Sequence, residues 1–203
     1  MTVKIILAVI LGTLVGFFVP DHWYGATDTL LTVGLCLLLF FVGIDIGKNK
    51  NVLSDIKKTG ILFFLVPIGV AIGSLVGALA VGTLLGYPLN ESGAIGSGMG
   101  WYTLSSIIIA PYSSELSVLA FLTNVVREIL AIALIPIIAK HVGFVEAISP
   151  AGATAMDTTL PIISKNTNSE TAFLSFSTGL ILSILVPIRS EEHTSELQSR
   201  HNL

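Results

Sequence analysis

The stretch AGATAMDTTLP, residues 151–161, places a carboxylate and a proline within an apolar segment of small residues. Asp157 stands four residues before Pro161, which has no N–H group, so the carbonyl of Asp157 should lose its helical partner. An interrupted helix at membrane depth is tolerated only against other protein or a water-filled cavity. The stretch therefore predicts a broken membrane helix, at about 145–163, with a carboxylate and a freed carbonyl at the break.

A second polar cluster lies in the apolar run 116–139, which is long enough to cross a bilayer. Asn124, Arg127 and Glu128 are spaced at i, i+3 and i+4, so one face of a helix should present all three. A charge in hydrocarbon costs at least about 2.5–3.5 kcal/mol on insertion scales. The cluster indicates either a substrate or proton site or a structural ion pair that joins helices.

The composition of the 203 residues also favours a membrane protein. Charged residues make up 11% of the chain and hydrophobic residues 53%, whereas soluble domains carry about 25% charged residues. The net charge of −3, without a basic patch, gives no indication of nucleic-acid binding. The single Cys36 excludes an intrachain disulfide and a cysteine zinc cluster. No metal-ligand spacing, nucleophile motif or phosphate loop indicates an enzyme, a metal or a cofactor.

The apolar pattern predicts an all-α fold, a polytopic transmembrane helix bundle of about seven membrane elements. The fourth element, 93–110, opens with four glycines in eight residues, each costing about 1 kcal/mol relative to alanine in a helix. We therefore expect an irregular opening followed by a helix there, and a second broken element at 145–163. The five ordinary spans are predicted at about 3–19, 29–47, 61–85, 116–139 and 171–188.

Residues 189–203, RSEEHTSELQSRHNL, differ sharply from the apolar chain before them. This polar segment is similar to translated sequencing-adaptor readthrough, so we interpret it as a non-native tail. The alternative is a genuine tail outside the membrane. The transmembrane transporter domain is accordingly predicted at 1–188.

The loop lysines predict the orientation. With the N-terminus in the cytoplasm, Lys140 falls outside and six other lysines fall on the cytoplasmic side, as positively charged loops prefer. The count depends on all seven elements crossing the membrane. The six are Lys4, Lys48, Lys50, Lys57, Lys58 and Lys165.

The residues at the two predicted breaks complete the candidate site. Trp101, Tyr102 and Ser105 follow the glycine run, where exposed backbone N–H groups could receive a substrate carboxylate. An aromatic belt at the membrane interface is the alternative. Thr158 stands beside Asp157 at the second break, where a cation site would need oxygen atoms.

Three stretches of the chain together resemble the LysO lysine exporter family: GMGWYTLSS at 98–106, NVVRE at 124–128 and TAMDTTLP at 154–161. The similarity covers nearly all of 1–188. The resemblance implies a bacterial inner-membrane protein that exports L-lysine in exchange for protons. It also implies that Glu128 and Asp157 are the functional acidic residues.

The resemblance has a second implication, which concerns partners. Full family members are about half as long again, and some are encoded as two polypeptides. A small companion membrane protein is therefore expected to supply the N-terminal spans, and a homo-oligomer is a further possibility.

Two other functions stay open from the sequence. A small-cation/proton antiporter would also use buried carboxylates, but an ion needs no carboxylate-binding backbone like that expected near Trp101. A non-transporting membrane subunit is the other alternative. The buried charges of Arg127, Glu128 and Asp157 argue against it.

Overall fold

The computed structural model describes residues 60–201 continuously, with side chains to residue 187. Of the preceding residues it describes isolated helical positions between 7 and 44. The predicted spans 3–19 and 29–47 therefore lie outside the continuously described residues, as does the basic loop that follows them. Within the described residues the chain is entirely helical, without strands, as predicted.

Six α-helices and two short 3₁₀ helices make up the described part of the chain. The 3₁₀ helices, Glu146–Ile148 and Gly152–Met156, lie between the fourth and fifth α-helices. The α-helices are α1 (Leu62–Leu84), α2 (Leu89–Gly96), α3 (Tyr102–Ile109), α4 (Ser114–His141), α5 (Leu160–Asn166) and α6 (Ser169–His201).

Three of these helices are long and apolar enough to cross a membrane: α1, α4 and the segment Ser169–Pro187 of α6. They correspond to the predicted third, fifth and seventh elements. The α6 helix continues to His201, through most of the predicted tail. Three candidate spans in the described residues do not by themselves amount to the seven predicted membrane elements.

The ends of α4 are set by its own sequence. The Ser113 hydroxyl accepts a hydrogen bond from the N–H of Leu116 at 3.2 Å, which caps the first turn. Glu115 lies in the first turn, and Lys140 and His141 lie in the last. Each charge opposes the helix dipole at its end. This long helix, capped by Ser113, holds the polar cluster of Asn124, Arg127 and Glu128.

The glycine-rich fourth element is a helix, a break and a second helix. The expected irregular opening at Gly93 is wrong, because residues 93–96 form the last turn of α2. The physical reason is close packing: a Cβ on Gly96 would overlap the side chain of Ala78 on α1. The irregular backbone lies instead between α2 and α3, where Met99 and Gly100 have φ of 46° and 104°.

The sixth element is broken, as predicted. The second 3₁₀ helix ends at Met156, Asp157 has φ −133° and ψ −95°, and α5 begins at Leu160 with Pro161 in its first turn. The expectation of a freed carbonyl is wrong. The carbonyl of Asp157 accepts a hydrogen bond from the N–H of Leu160 at 3.2 Å, because the chain tightens into an i→i+3 turn there.

The two breaks meet in the interior of the bundle, and we call this contact the crossing. The N–H of Ala153 donates to the carbonyl of Met99 at 2.8 Å. Gly152 has φ of 62°, and a Cβ at that position would overlap the carbonyl oxygen of Met99. Glycine thus allows two irregular backbones to touch.

Buried apolar side chains surround the crossing on two sides. Met99 packs with Leu182 and Val186 of α6, and Ile135 of α4 packs with Ile163 of α5. Lipid tails are as apolar as these side chains, so close packing and hydrogen bonds hold such helices together. The crossing is therefore supported by packed side chains on α4, α5 and α6.

Candidate functional site

A cavity of about 260 Å³, which we call the small cavity, lies beside the crossing. Its walls come from the start of α3, the middle of α4 and the break before α5. Five of the residues that the sequence predicts for the site line it together. They are Trp101, Tyr102, Glu128, Asp157 and Thr158.

Thr158 connects the two carboxylates of the small cavity. Its hydroxyl donates a hydrogen bond to Oε1 of Glu128, and the same oxygen lies 3.3 Å from Oδ1 of Asp157. The N–H of Thr158 also donates to that Oδ1, at 2.5 Å. A hydroxyl carries one hydrogen and can donate to one carboxylate at a time. Both contacts are hydrogen bonds at the same time when either carboxyl group is protonated and donates to the hydroxyl while the hydroxyl donates to the other.

This pair of carboxylates is suited to a proton or a cation. Among the residues that the structure describes, neither Glu128 nor Asp157 forms an ion pair. With both ionised, the pair carries two negative charges in a membrane bundle, where charge is costly. An ammonium group or a proton would lower that cost. The described part of the chain holds no group of three His, Cys, Asp or Glu side chains suited to a metal.

The start of α3 adds hydrogen-bond donors to the same cavity. Tyr102 and Thr103 occupy the first turn of α3 and line the cavity. N–H groups in the first turn of a helix lack partners within the helix, and they attract negative charge. The ring of Tyr102 packs edge to face on Phe121 of α4, with 5.5 Å between centroids. This contact fixes the aromatic wall against α4.

Asn124 belongs to the crossing and lies outside the small cavity. It is 3% exposed, and its Oδ1 accepts a hydrogen bond from the N–H of Gly100 at 2.7 Å. Its Nδ2 donates to the carbonyl of Ala120 at 2.9 Å and to the hydroxyl of Ser105 at 3.4 Å. Asn124 and Ser105 therefore hold the first break against α4.

Arg127 also points away from the small cavity. Its Nη1 donates to the hydroxyl of Ser74 on α1 at 2.7 Å. Its Nε and Nη2 donate to the carbonyls of Pro150 and Ser149, at 3.1 and 3.4 Å. All of these partners are neutral, and within the described residues Arg127 is not paired with Glu128.

Arg127 and Asn124 instead line a larger cavity, of about 740 Å³, between α1 and α4. The predicted single face of Asn124, Arg127 and Glu128 is thus divided between two cavities. Successive residues of an α-helix are about 100° apart. Arg127 and Glu128 therefore reach different neighbours although they adjoin in sequence.

Comparison with known proteins identifies the family. Residues 6–189 match the family model described as Lysine exporter LysO. The chain belongs to this family. A candidate lysine exporter of Haemophilus influenzae is 32% identical over 188 residues, which cover 91% of this chain and 94% of that relative. Lysine exporter LysO of Escherichia coli is 36% identical over 157 residues, which cover 76% of this chain and 51% of that relative. No solved structure matches the chain.

The LysO relatives differ in extent. The chain spans nearly all of the Haemophilus influenzae relative and about half the length of the Escherichia coli relative. The resemblance found in the sequence is confirmed, and the chain is a membrane protein of this transporter family. Its three motifs, 98–106, 124–128 and 154–161, meet at the crossing and the small cavity.

Sequence reasoning on this LysO chain missed several participants. Ser74 on α1 and the carbonyls of Ser149 and Pro150 hold Arg127, and nothing in their sequence context marks them. The role of Gly152 could have been predicted, because a glycine beside a predicted break indicates positive φ or close backbone contact. The structure assigns it both.

Proposed function

We propose that this chain exports L-lysine across the bacterial plasma membrane in exchange for protons, and that Glu128 and Asp157 are the exchange site. One observation carries the proposal: a single hydroxyl, that of Thr158, contacts both carboxylates inside a cavity. Membership of the lysine exporter family supports lysine as the substrate.

The proposed exchange follows from charge. The ionised pair attracts an ammonium group of lysine, and protonation of one carboxylate weakens that attraction and releases the lysine. Among the described residues Arg127 forms no hydrogen bond with either carboxylate, because its guanidinium donates to Ser74, Ser149 and Pro150. Thr158 lets the two carboxyl groups share one proton, because whichever acid is protonated can donate to the hydroxyl while the hydroxyl donates to the other.

The remaining walls of the small cavity would hold the rest of the substrate. Trp101 and Tyr102 supply apolar surface for the aliphatic chain of lysine. The first turn of α3 supplies N–H groups for its carboxylate. The cavity of about 260 Å³ leaves room for little more than one such molecule.

Removal of the titratable groups tests the exchange. In vesicles containing the complete transporter, Asp157→Asn should abolish lysine-driven proton movement, measured with a pH-sensitive dye, and Glu128→Gln should reduce it at least about tenfold. Glu115→Gln is the matched control, because Glu115 is an exposed glutamate on the same helix and lines neither cavity.

Two results would contradict this function. Normal exchange in both carboxylate variants would exclude the proposed site. Proton movement driven by Na⁺ or K⁺, with none driven by lysine, would indicate the small-cation antiporter instead.

We also infer the setting of the transporter. The loop lysines support a cytoplasmic N-terminus. The family match, which ends at residue 189, supports 1–188 as the transporter domain. A chain ending at Ile188 should therefore transport lysine as well as the longer one. A companion membrane protein supplying further spans is proposed from the 51% coverage of the Escherichia coli relative. Full transport by the purified single chain in liposomes would exclude a required companion.

A further inference from the structure

The larger cavity is lined by a cationic side chain, that of Arg127, which the proposed exchange mechanism does not use. It is lined by one face of α1 and by the polar residues Thr123, Asn124 and Arg127 of α4, and it shares no lining residue with the small cavity. We propose that it is a second station for the transported amino acid, where Arg127 binds the carboxylate. This inference rests on the function proposed above.

The hydrogen bonds of Arg127 leave part of its guanidinium available. A guanidinium has five N–H groups and keeps its positive charge in proteins. Three of its nitrogens donate one bond each, to Ser74, Ser149 and Pro150. Within residues 60–187, one N–H on Nη1 and one on Nη2 therefore remain for a ligand.

The charge of Arg127 has no counter-charge among the described residues, because its hydrogen-bond partners are a hydroxyl and two carbonyls. A cation removed from water is costly unless an anion accompanies it. Guanidinium and carboxylate have matching geometry and form strong charge-assisted hydrogen bonds. An amino-acid carboxylate is the anion that a lysine exporter must carry.

The wall opposite Arg127 leaves room for such a ligand. Among the residues that the structure describes, a Cβ added to Gly69, Gly73 or Gly77 of α1 would meet no atom within 4 Å. The cavity of about 740 Å³ falls in the range of small-molecule sites. Ser74 of α1 and Thr123 of α4 both line the cavity, so hydroxyl groups are available on both walls for the α-ammonium group.

The position of the station relative to the crossing suggests its role. Asn124 lines the larger cavity, and its Oδ1 holds the N–H of Gly100, which lines the small cavity. A lysine in the larger cavity is thus separated from the small cavity by the hydrogen-bonded pair of Asn124 and Gly100. The larger cavity would receive any amino acid by its carboxylate, and the carboxylate pair would then select for the side-chain ammonium.

Calorimetric titration of the purified complete transporter in lipid nanodiscs tests the station. The double variant Glu128→Gln/Asp157→Asn removes the exchange site, so residual binding reports the larger cavity. It should still bind lysine and 2-aminohexanoate, which share the carboxylate, and should not bind 1,5-diaminopentane, which lacks it. Adding Arg127→Gln should weaken the residual binding about 10- to 100-fold, the contribution of a charge-assisted hydrogen bond.

A cavity-filling variant gives an independent measurement in an otherwise unaltered chain. Gly73→Leu projects into the open space and improves helix propensity, so it should reduce bound lysine from two molecules per chain to one. Val76→Leu is the matched control, because Val76 is 59% exposed on α1 and does not line the cavity. It should leave two.

Several outcomes overturn the station. The first is loss of all lysine binding in the double variant, and the second is residual binding that is unchanged by Arg127→Gln. The third is binding of 1,5-diaminopentane as tight as that of lysine. The fourth is binding of glycerol 3-phosphate in place of amino acids, which would indicate a lipid headgroup site. Absence of lysine binding in the unaltered transporter would instead overturn the proposed function itself.

Discussion

At the scale of single residues, the chemistry of the site depends on how many hydrogens are available. Two carboxylates approach one threonine hydroxyl, which can donate only once. Thr158 therefore connects the protonation state of Asp157 to the hydrogen bond of Glu128. In the proposed exchange, a change of protonation at one carboxylate therefore alters the hydrogen bond available to the other.

Substitution of Thr158 isolates this connection. Thr158→Val keeps the shape of the side chain and removes the hydroxyl, so we expect lysine-driven proton flux to fall about 10- to 100-fold, the contribution of a hydrogen bond to a charged group. Thr158→Ser keeps the hydroxyl and should retain most of the flux. Equal flux in the valine variant and the unaltered chain would show that the hydroxyl takes no part.

The sequence identified most of these residues but not their grouping. Glu128, Asp157 and Thr158 were expected together and line one cavity. Arg127 was expected beside Glu128 and lines the other cavity. The spacing of residues along a helix gives the direction of each side chain, but it does not say which side chain of another helix lies there. One hydrogen-bond partner of Arg127 is Ser74, which is 53 residues away in sequence. Such a contact depends on how α1 packs against α4.

At the scale of elements, the two broken segments form one unit. Both breaks were predictable from glycine, proline and charge in apolar sequence. Their contact was not, because nothing in either segment specifies the other. The extent of α2 was also missed, since a glycine that permits close packing and a glycine that interrupts a helix look alike in sequence. Gly96 is of the first kind and Gly100 of the second.

Gly152 gives the sharpest test of the crossing. Gly152→Ala forces a Cβ into a left-handed backbone, where it would overlap the carbonyl of Met99. We expect a loss of at least about 1–3 kcal/mol in the free energy of unfolding, measured by thermal or denaturant unfolding in detergent. Gly77→Ala on α1 is the control, because its Cβ would meet nothing within 4 Å in the described part of the chain. Equal stability of the two variants would mean that the crossing tolerates side chains.

At the scale of the whole molecule, spans and broken elements alternate along the described chain. The span α1 is followed by the break between α2 and α3, the span α4, the break before α5 and the apolar segment of α6. Broken helices that meet near the middle of the membrane are typical of secondary transporters. The composition predicted this class, while the number of crossings depends also on residues before 60.

The orientation of the chain gives the last prediction. The lysine-rich loop 48–58 should face the cytoplasm and residues 21–28 the outside, because positively charged loops stay inside. In a chain in which Cys36 is replaced by serine, a cysteine at position 51 should resist an impermeant thiol reagent added to intact cells. A cysteine at position 26 should react. Labelling in the reverse pattern would invert the topology.

The hydrogen bond at the crossing has an evolutionary consequence, because both of its atoms belong to the main chain. A point mutation at codon 153 can delete the donor only by introducing proline, and no codon change at position 99 removes the acceptor. What constrains the side chains at these positions is therefore their burial and, at Met99, the positive φ, and not the hydrogen bond itself. The joint between the two broken helices is encoded by the path of the polypeptide, and the identity it does require is the glycine at 152 that lets the two backbones touch.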